Sequence, residues 1–212
     1  MLKIKISALV FFLLSVVNIA AQNNTQAQQI LTDLLNSAKT NAVKTDFKLS
    51  ISELKSSGAQ ASTGTFTLKG TKFVLEMDEM KVWFDGKTQW SYVPQNNEVS
   101  ITEPTDKELA ETNPMAILSG YKSKCVVRFS KLKSAQNFNI EMIPKGKNLD
   151  ISKIIVQVNK TTRNLYSIKL TNKNRGTSLL TLTNFQKELK VSDNTFIFNA
   201  NKFKGVVEND LR

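Results

Sequence analysis

Between residues 47 and 198 the chain alternates apolar and polar side chains with a period of two, in short runs broken by turn residues. Phe47, Leu49 and Ile51 share one side of the first run, with Lys48, Ser50 and Ser52 on the other. The pattern returns at Phe66 and Leu68; Phe73, Leu75 and Met77; Val82 and Phe84; Trp90 and Tyr92; Val99 and Ile101; and Val127 and Phe129. It continues at Phe138, Ile140 and Met142; Ile154, Val156 and Val158; Tyr166, Ile168 and Leu170; Leu180 and Leu182; and Phe196 and Phe198. Successive side chains point to opposite faces in a β-strand, so each run reads as a strand with one buried face. The links are short and rich in turn formers: Asp85-Gly86, Asn96-Asn97, Asn172 to Gly176 and Asp193-Asn194. About eleven short strands in series make an antiparallel meander, which must curl to hide its apolar face. The expected fold is therefore mainly β, a single unclosed antiparallel barrel of about eleven strands covered by short helices.

Two segments break the alternation. Ala27, Ile30, Leu31, Leu34, Leu35 and Ala38 recur at helical spacing and predict an amphipathic helix over Gln28 to Ala38, which Asn24 or Thr25 can cap. Between Pro104 and Tyr121, Thr105 to Glu111 reads as a short polar helix. Asn113 and Pro114 then suit the cap and first position of another, Asn113 to Ser119, with Gly120 as its stop. Met115, Ile117 and Leu118 give this last helix an apolar side. Both amphipathic helices are expected at the open side of the barrel as a plug or lid. Ser56 to Thr63 reads as a hairpin loop, and neither a domain boundary nor an internal repeat is visible.

The first 21 residues read as a signal peptide: Lys3 and Lys5 precede the apolar run Ile6 to Val17, and Ile19-Ala20-Ala21 ends in small residues. That run is too short to span a bilayer, which takes roughly 20 residues. Cleavage is expected between Ala21 and Gln22, leaving residues 22–212 as one exported, soluble and monomeric domain. No cysteine follows the apolar run, so no lipid anchor is expected. The single Cys125, in the apolar run C-V-V-R-F, reads as a buried structural thiol without a disulfide partner. Removing Lys3 and Lys5 lowers the formal charge from +11 to +9. This favours acidic surfaces, but the lysines are spread along the chain, and an exported protein is not expected to bind nucleic acid. The chain has no histidine, which excludes Ser-His-Asp and Cys-His nucleophiles and histidine-based metal sites. Asp78, Glu79, Asp85, Glu98 and Glu103 sit in no setting that predicts acid–base chemistry. No catalytic residue, cofactor or metal is expected.

An ordered set of short blocks supplies the rest. Gly64-Thr-Phe precedes Lys72-Phe73; Asp85, Gly86, Lys87, Trp90, Tyr92 and Pro94 form a D-G-K-x-x-W-x-Y-x-P pattern; Asn113-Pro114 follows. Then come Met142-Ile143-Pro144-Lys145, Thr195-Phe196-Ile197-Phe198 and Gly205-Val206-Val207. In this order the blocks resemble the bacterial outer-membrane lipoprotein carrier family, LolA-like periplasmic proteins that hold acyl chains in a half-open barrel. The resemblance implies a periplasmic carrier that shuttles lipoproteins from the inner to the outer membrane. Its implied partners are lipoprotein acyl chains, an inner-membrane lipoprotein-releasing transporter and an outer-membrane acceptor. Another lipid or glycolipid as cargo, or a periplasmic protein-binding or sensory role, fits the same blocks. The acyl cavity and lid are expected from Phe47, Leu49, Phe66, Leu68, Phe73, Leu75, Trp90, Met115, Leu118, Ile140 and Met142. Trp83 and Tyr92 are candidates for its wall or rim, while parity alone assigns no face to either tryptophan. One departure stands out. Family members commonly carry an Arg-Pro pair whose arginine bonds to the lid helices, and this chain has Gly70-Thr71 there, flanked by Lys69 and Lys72. A lysine does not reproduce arginine's planar fork.

Overall fold

Strand β1 (Val43–Ser52) is the spine of the sheet, pairing with β2 (Ala59–Lys69) on one side and with β11 (Gly176–Gln186) on the other, both antiparallel. The computed structural model describes residues 24–53, 59–106, 108–109, 113–174, 176–187 and 189–212; the expected signal peptide lies outside them. From β2 the chain winds outward through β3 (Lys72–Glu76), β4 (Lys81–Phe84), β5 (Gln89–Val93) and β6 (Glu98–Thr102). From β11 the sheet continues through β10 (Leu165–Asn172), β9 (Ile151–Asn159), β8 (Asn137–Pro144) and β7 (Cys125–Phe129). Among the described residues this is one twelve-stranded sheet, ending at β7 on one side and at β12 (Val207–Asp210) on the other. Those two edges do not pair, so the barrel is unclosed, as expected.

The twelfth strand corrects the count. Phe196 and Phe198 do not form a strand; a 3₁₀ turn over Asp193–Phe196 interrupts the alternation, and both rings are buried on the sheet's outer face. The last strand is Val207–Asp210, which pairs parallel to β6 through the register Val207↔Glu98 to Asp210↔Ile101. All four of its residues are exposed, so it carries no apolar alternation for a sequence reading to find. The expected hairpin loop also shrinks, because β2 already begins at Ala59. In β10 the register shifts between Leu165 and Ser167, which turns Tyr166 outward at 42% exposure while Ile168 stays buried. Such a bulge resets the parity that the alternation assumes.

Helix α1 spans residues 24–40 and buries Ala27, Ile30, Leu31, Leu34 and Ala38 along one stripe, as its spacing requires. Thr105 and Glu108 exchange capping hydrogen bonds at the polar segment, where residues 106, 108 and 109 are helical. Helix α2 (Pro114–Lys122) starts as expected: Pro114 sits in its first turn, and the Asn113 carboxamide oxygen accepts from the Met115 N–H at 2.9 Å. It does not stop at Gly120. That glycine lacks the positive φ of a left-handed stop, and the helix runs to Lys122 with Ser123 as its C-cap.

Both helices lie against the concave face. Ala27, Ile30, Leu31, Leu34, Ala38 and Leu118 join one buried cluster with the inward side chains of β1 to β4 and β7 to β11. Curvature is local chemistry as well as twist. At Gly64, opposite Phe47, a Cβ would stand 2.0 Å from the Glu76 carbonyl oxygen and 2.9 Å from the Phe47 ring. Only glycine lets backbone and ring approach so closely there.

Candidate functional site

The concave wall is built by cross-strand pairing. Phe66 faces Leu75, Leu68 faces Phe73, Phe73 faces Phe84 and Leu75 faces Val82. On the other arm, Val127 and Ile154 flank Met142, and Phe129 and Val156 flank Ile140. Phe47 and Leu49 on β1 link the two arms through Leu182 and Leu180. Directly opposed residues share a face, so these pairs make one continuous apolar lining. Eight of the expected cavity and lid residues are buried in the cluster under the helices: Phe47, Phe66, Leu68, Phe73, Leu75, Leu118, Ile140 and Met142. Leu49 and Met115 pack against it partly buried.

Trp90 is not brought together with them. Trp83 faces Trp90, and Trp90 faces Ile101, on the opposite, outer side of the sheet. There Val74, Trp83 and Val99 form a second small core with Phe196 and Phe198, and Trp90, Tyr92 and Phe203 pack against it. The rings of Tyr92 and Phe203 lie 4.5 Å apart, and those of Phe198 and Phe203 4.9 Å. The apolar side therefore changes face after the Asp85-Gly86 turn: Val82 and Phe84 point inward, Trp90 and Tyr92 outward. Within the D-G-K-x-x-W-x-Y block, Trp90 and Tyr92 pack against the core that holds Phe196 and Phe198 of the C-terminal segment.

A cavity of about 270 Å³ opens at one end of the wall. Leu34 and Ala38 of α1, Val43 of β1, Phe66 and Leu68 of β2, and Met115 of α2 line its apolar side. Leu165, Leu182 and Phe185 complete it, with Arg163 and Lys187 among its polar lining. Three of the expected residues, Phe66, Leu68 and Met115, thus line open space. Phe73 does not: it is 0% exposed and packed between Phe66 at 5.5 Å and Phe84 at 5.4 Å. Inside the cavity the Thr45 hydroxyl is satisfied within the sheet, donating to the Thr183 carbonyl at 2.6 Å. Arg163 also borders a second cavity of about 410 Å³ beside α1, with Asp33, Ile30 and Val158. Val43, Leu165, Leu182 and Phe185 went unselected in the sequence because any strand core shows the same residues; Arg163 carries no periodic signal at all.

Helix α1 is held without the arginine that the resemblance implies, Gly70 standing in its place. The Gly70 N–H donates to the Ala38 carbonyl at 2.9 Å, capping the end of α1 from the β2–β3 turn. Gly70 has φ 64°, a left-handed backbone that suits glycine. The Lys122 ammonium at the end of α2 donates to the Thr32 hydroxyl on α1. Lys69 and Lys72 turn the other way: both grip Asp193 of the C-terminal segment, at 3.0 and 2.8 Å. The hydrogen bonds from Lys72 and Lys69 hold the Asp193 carboxyl below its ordinary range. Burial is the first influence on Glu76 and opposes its ionisation, but Lys81 and Thr65 outweigh it and lower its pKa. Burial pushes the Cys125 thiol and the Tyr121 hydroxyl upward.

Comparisons with known proteins agree with this architecture. A family model described as "Outer membrane lipoprotein carrier protein LolA" matches residues 17–174. An outer-membrane lipoprotein carrier protein from Shewanella oneidensis is 29% identical over 133 residues, covering 61% of this chain and 63% of the relative. The protein of that name from Shewanella sp. strain ANA-3 is 28% identical over the same length and shares. The chain thus spans somewhat under two thirds of these relatives. A solved structure of an uncharacterized conserved protein from Thermus thermophilus has the same fold, with TM-score 0.56 at 12% identity, over 87% of this chain and 99% of that one. With a half-open sheet, a helical cover and a family model spanning most of its length, the chain belongs to the outer membrane lipoprotein carrier protein LolA family.

Proposed function

We propose that the protein is an exported periplasmic carrier that holds the acyl chains of lipoproteins under α1 and α2 and moves them from the inner to the outer membrane. The observation that carries this reading is the apolar cavity between α1, α2 and the concave wall, continuous with the buried lining. The task is physically demanding. Each methylene exposed to water costs roughly 0.8 kcal/mol, so three chains of about 16 carbons total on the order of 40 kcal/mol. Unassisted transfer is negligible, and a carrier must cover that surface yet release it. Ligand sites of drug size occupy about 300–1,000 Å³. A cavity of about 270 Å³ is smaller, so full uptake requires α1 or α2 to shift. Gly70 to Ala38 ties α1 to the β2–β3 turn, and Lys122 to Thr32 ties α2 to α1. Met115 adapts readily to a flexible chain. In this reading the domain is residues 22–212, monomeric, with the lipoprotein, a releasing transporter and an outer-membrane acceptor as partners.

Met115→Asp provides the test. The substitution places a carboxylate in the cavity lining while suiting the first turn of α2, so the fold survives. Wild type is expected to take up lipoprotein released from inner-membrane vesicles, and a fluorescent fatty-acyl probe, and the variant to lose both. Retained uptake by Met115→Asp removes the cavity from the site. Wild type binding neither lipoprotein nor probe ends the carrier reading.

A further inference from the structure

The end of the sheet that borders the cavity combines exposed cations with one exposed leucine. The β7–β8 loop, residues 130–136, and the β9–β10 turn, residues 160–164, lie side by side. The Lys160 N–H donates to the Gln136 carbonyl at 2.9 Å, and its ammonium to those of Ser134 and Ala135 at 2.7 and 3.1 Å. The same turn supplies Thr162, Arg163 and Asn164 to the cavity, and Lys187 reaches the Thr162 carbonyl at 3.1 Å. Lys131, Lys133, Lys160, Arg163 and Lys187 therefore share this end, and all five are exposed. Among the described residues none of the five forms an ion pair with a carboxylate. Two of them are held at a ring: the Arg163 guanidinium lies 4.9 Å from the Phe138 centroid and the Lys160 ammonium 5.9 Å.

Leu132, between Lys131 and Lys133, is 70% exposed. Its backbone is fixed nonetheless. The Leu132 N–H donates to the Ser130 hydroxyl at 3.2 Å, and its carbonyl accepts from the Asn139 carboxamide at 2.9 Å. Asn139 is buried, and its own carboxamide oxygen accepts from Gln157 at 2.7 Å. Gln157 in turn accepts from the buried Ser167 hydroxyl at 2.7 Å. A hydrogen-bonded chain across β8, β9 and β10 thus holds an apolar side chain out in solvent. Nucleic acid would use the cations but has no need of the leucine. A bilayer with acidic headgroups uses both: basic residues meet lipid phosphates while an apolar side chain enters the headgroup–acyl boundary.

We propose that this end docks the protein on an anionic phospholipid surface, with Leu132 inserted and the cavity mouth turned toward the bilayer. The proposal goes beyond the carrier reading and stands without it. Its test is cosedimentation of the exported protein with vesicles of phosphatidylcholine alone or mixed with phosphatidylglycerol. Binding is expected to be at least about tenfold tighter to the mixed vesicles. The double variant Lys131→Glu, Lys133→Glu and the single variant Leu132→Ser are each expected to weaken it about tenfold. Lys124 and Lys147 lie at the opposite end of β7 and β8, so Lys124→Glu, Lys147→Glu is the control and is expected to change binding less than about twofold. Equal binding to both vesicle types, an equal loss in the control, or wild-type binding by Leu132→Ser overturns the proposal. Acyl-probe uptake without vesicles, measured on the same samples, is expected to be unchanged by the loop variants. Its absence in wild type would end the carrier reading and leave docking standing.

Discussion

Phe73 shows how little a residue's type says about its role here. It aligns with the block in which the resemblance places a cavity aromatic, yet its ring is sealed between Phe66 and Phe84. Phe73→Glu would bury an unpaired carboxylate between two rings, at a cost of several kcal/mol, and is expected to lose the fold along with uptake. Phe73→Ala is the informative change. It should destabilise the protein by about 3–5 kcal/mol, read from the denaturant midpoint at unchanged slope. A loss below about 1 kcal/mol would mean that the stack is not part of the core. Gly70 makes the complementary point. Read as a missing arginine, it is a backbone donor to α1, a role that side-chain chemistry does not announce.

At the scale of elements, the C-terminal segment replaces an expected strand. It runs through a 3₁₀ turn, lays Phe196, Phe198 and Phe203 on the outer face, and ends as a parallel strand beside β6. Lys69 and Lys72 fasten it through Asp193. The pKa of that carboxyl is lowered in the fold, so its contribution to stability is present above the ordinary value of 3.8 and is lost as pH falls through the lower folded value. The pair is exposed, so the effect is small. Asp193→Asn is therefore expected to lower the melting temperature slightly at pH 7, and the difference from wild type should vanish at acid pH below the folded value. A difference that persists there would assign the effect to something other than charge. The helix that begins at Asn113 was legible because its signals are local: a side-chain cap and a proline act within one turn. Its end was not, since Gly120 stays helical when the chain can continue to Ser123.

The whole molecule is a curled sheet with a core on each side of one arm. The main core fills the concave face under α1 and α2; the smaller one binds the C-terminal segment to the back of β3 to β6. Truncation after Val191 is expected to bare Val74, Trp83 and Val99, giving red-shifted tryptophan emission and concentration-dependent aggregation. Wild-type-like emission and dispersity would show that the second core is dispensable. Strands β1 to β11, the two amphipathic helices and their place on the open side followed from the sequence alone, because period-two and helical spacing are fixed by backbone geometry and apolar faces must be buried. Ten of the eleven expected cavity residues lie at the main core for that reason. The remainder waited on tertiary structure. Alternation assigns residues to a common face but not to the inner or outer one, so Trp90 is placed only by its cross-strand partner Trp83, which belongs to the outer core. A bulge that turns out Tyr166, a parallel strand with no buried residue, and a rim cation such as Arg163 are set by distant backbone pairing, which no local pattern encodes.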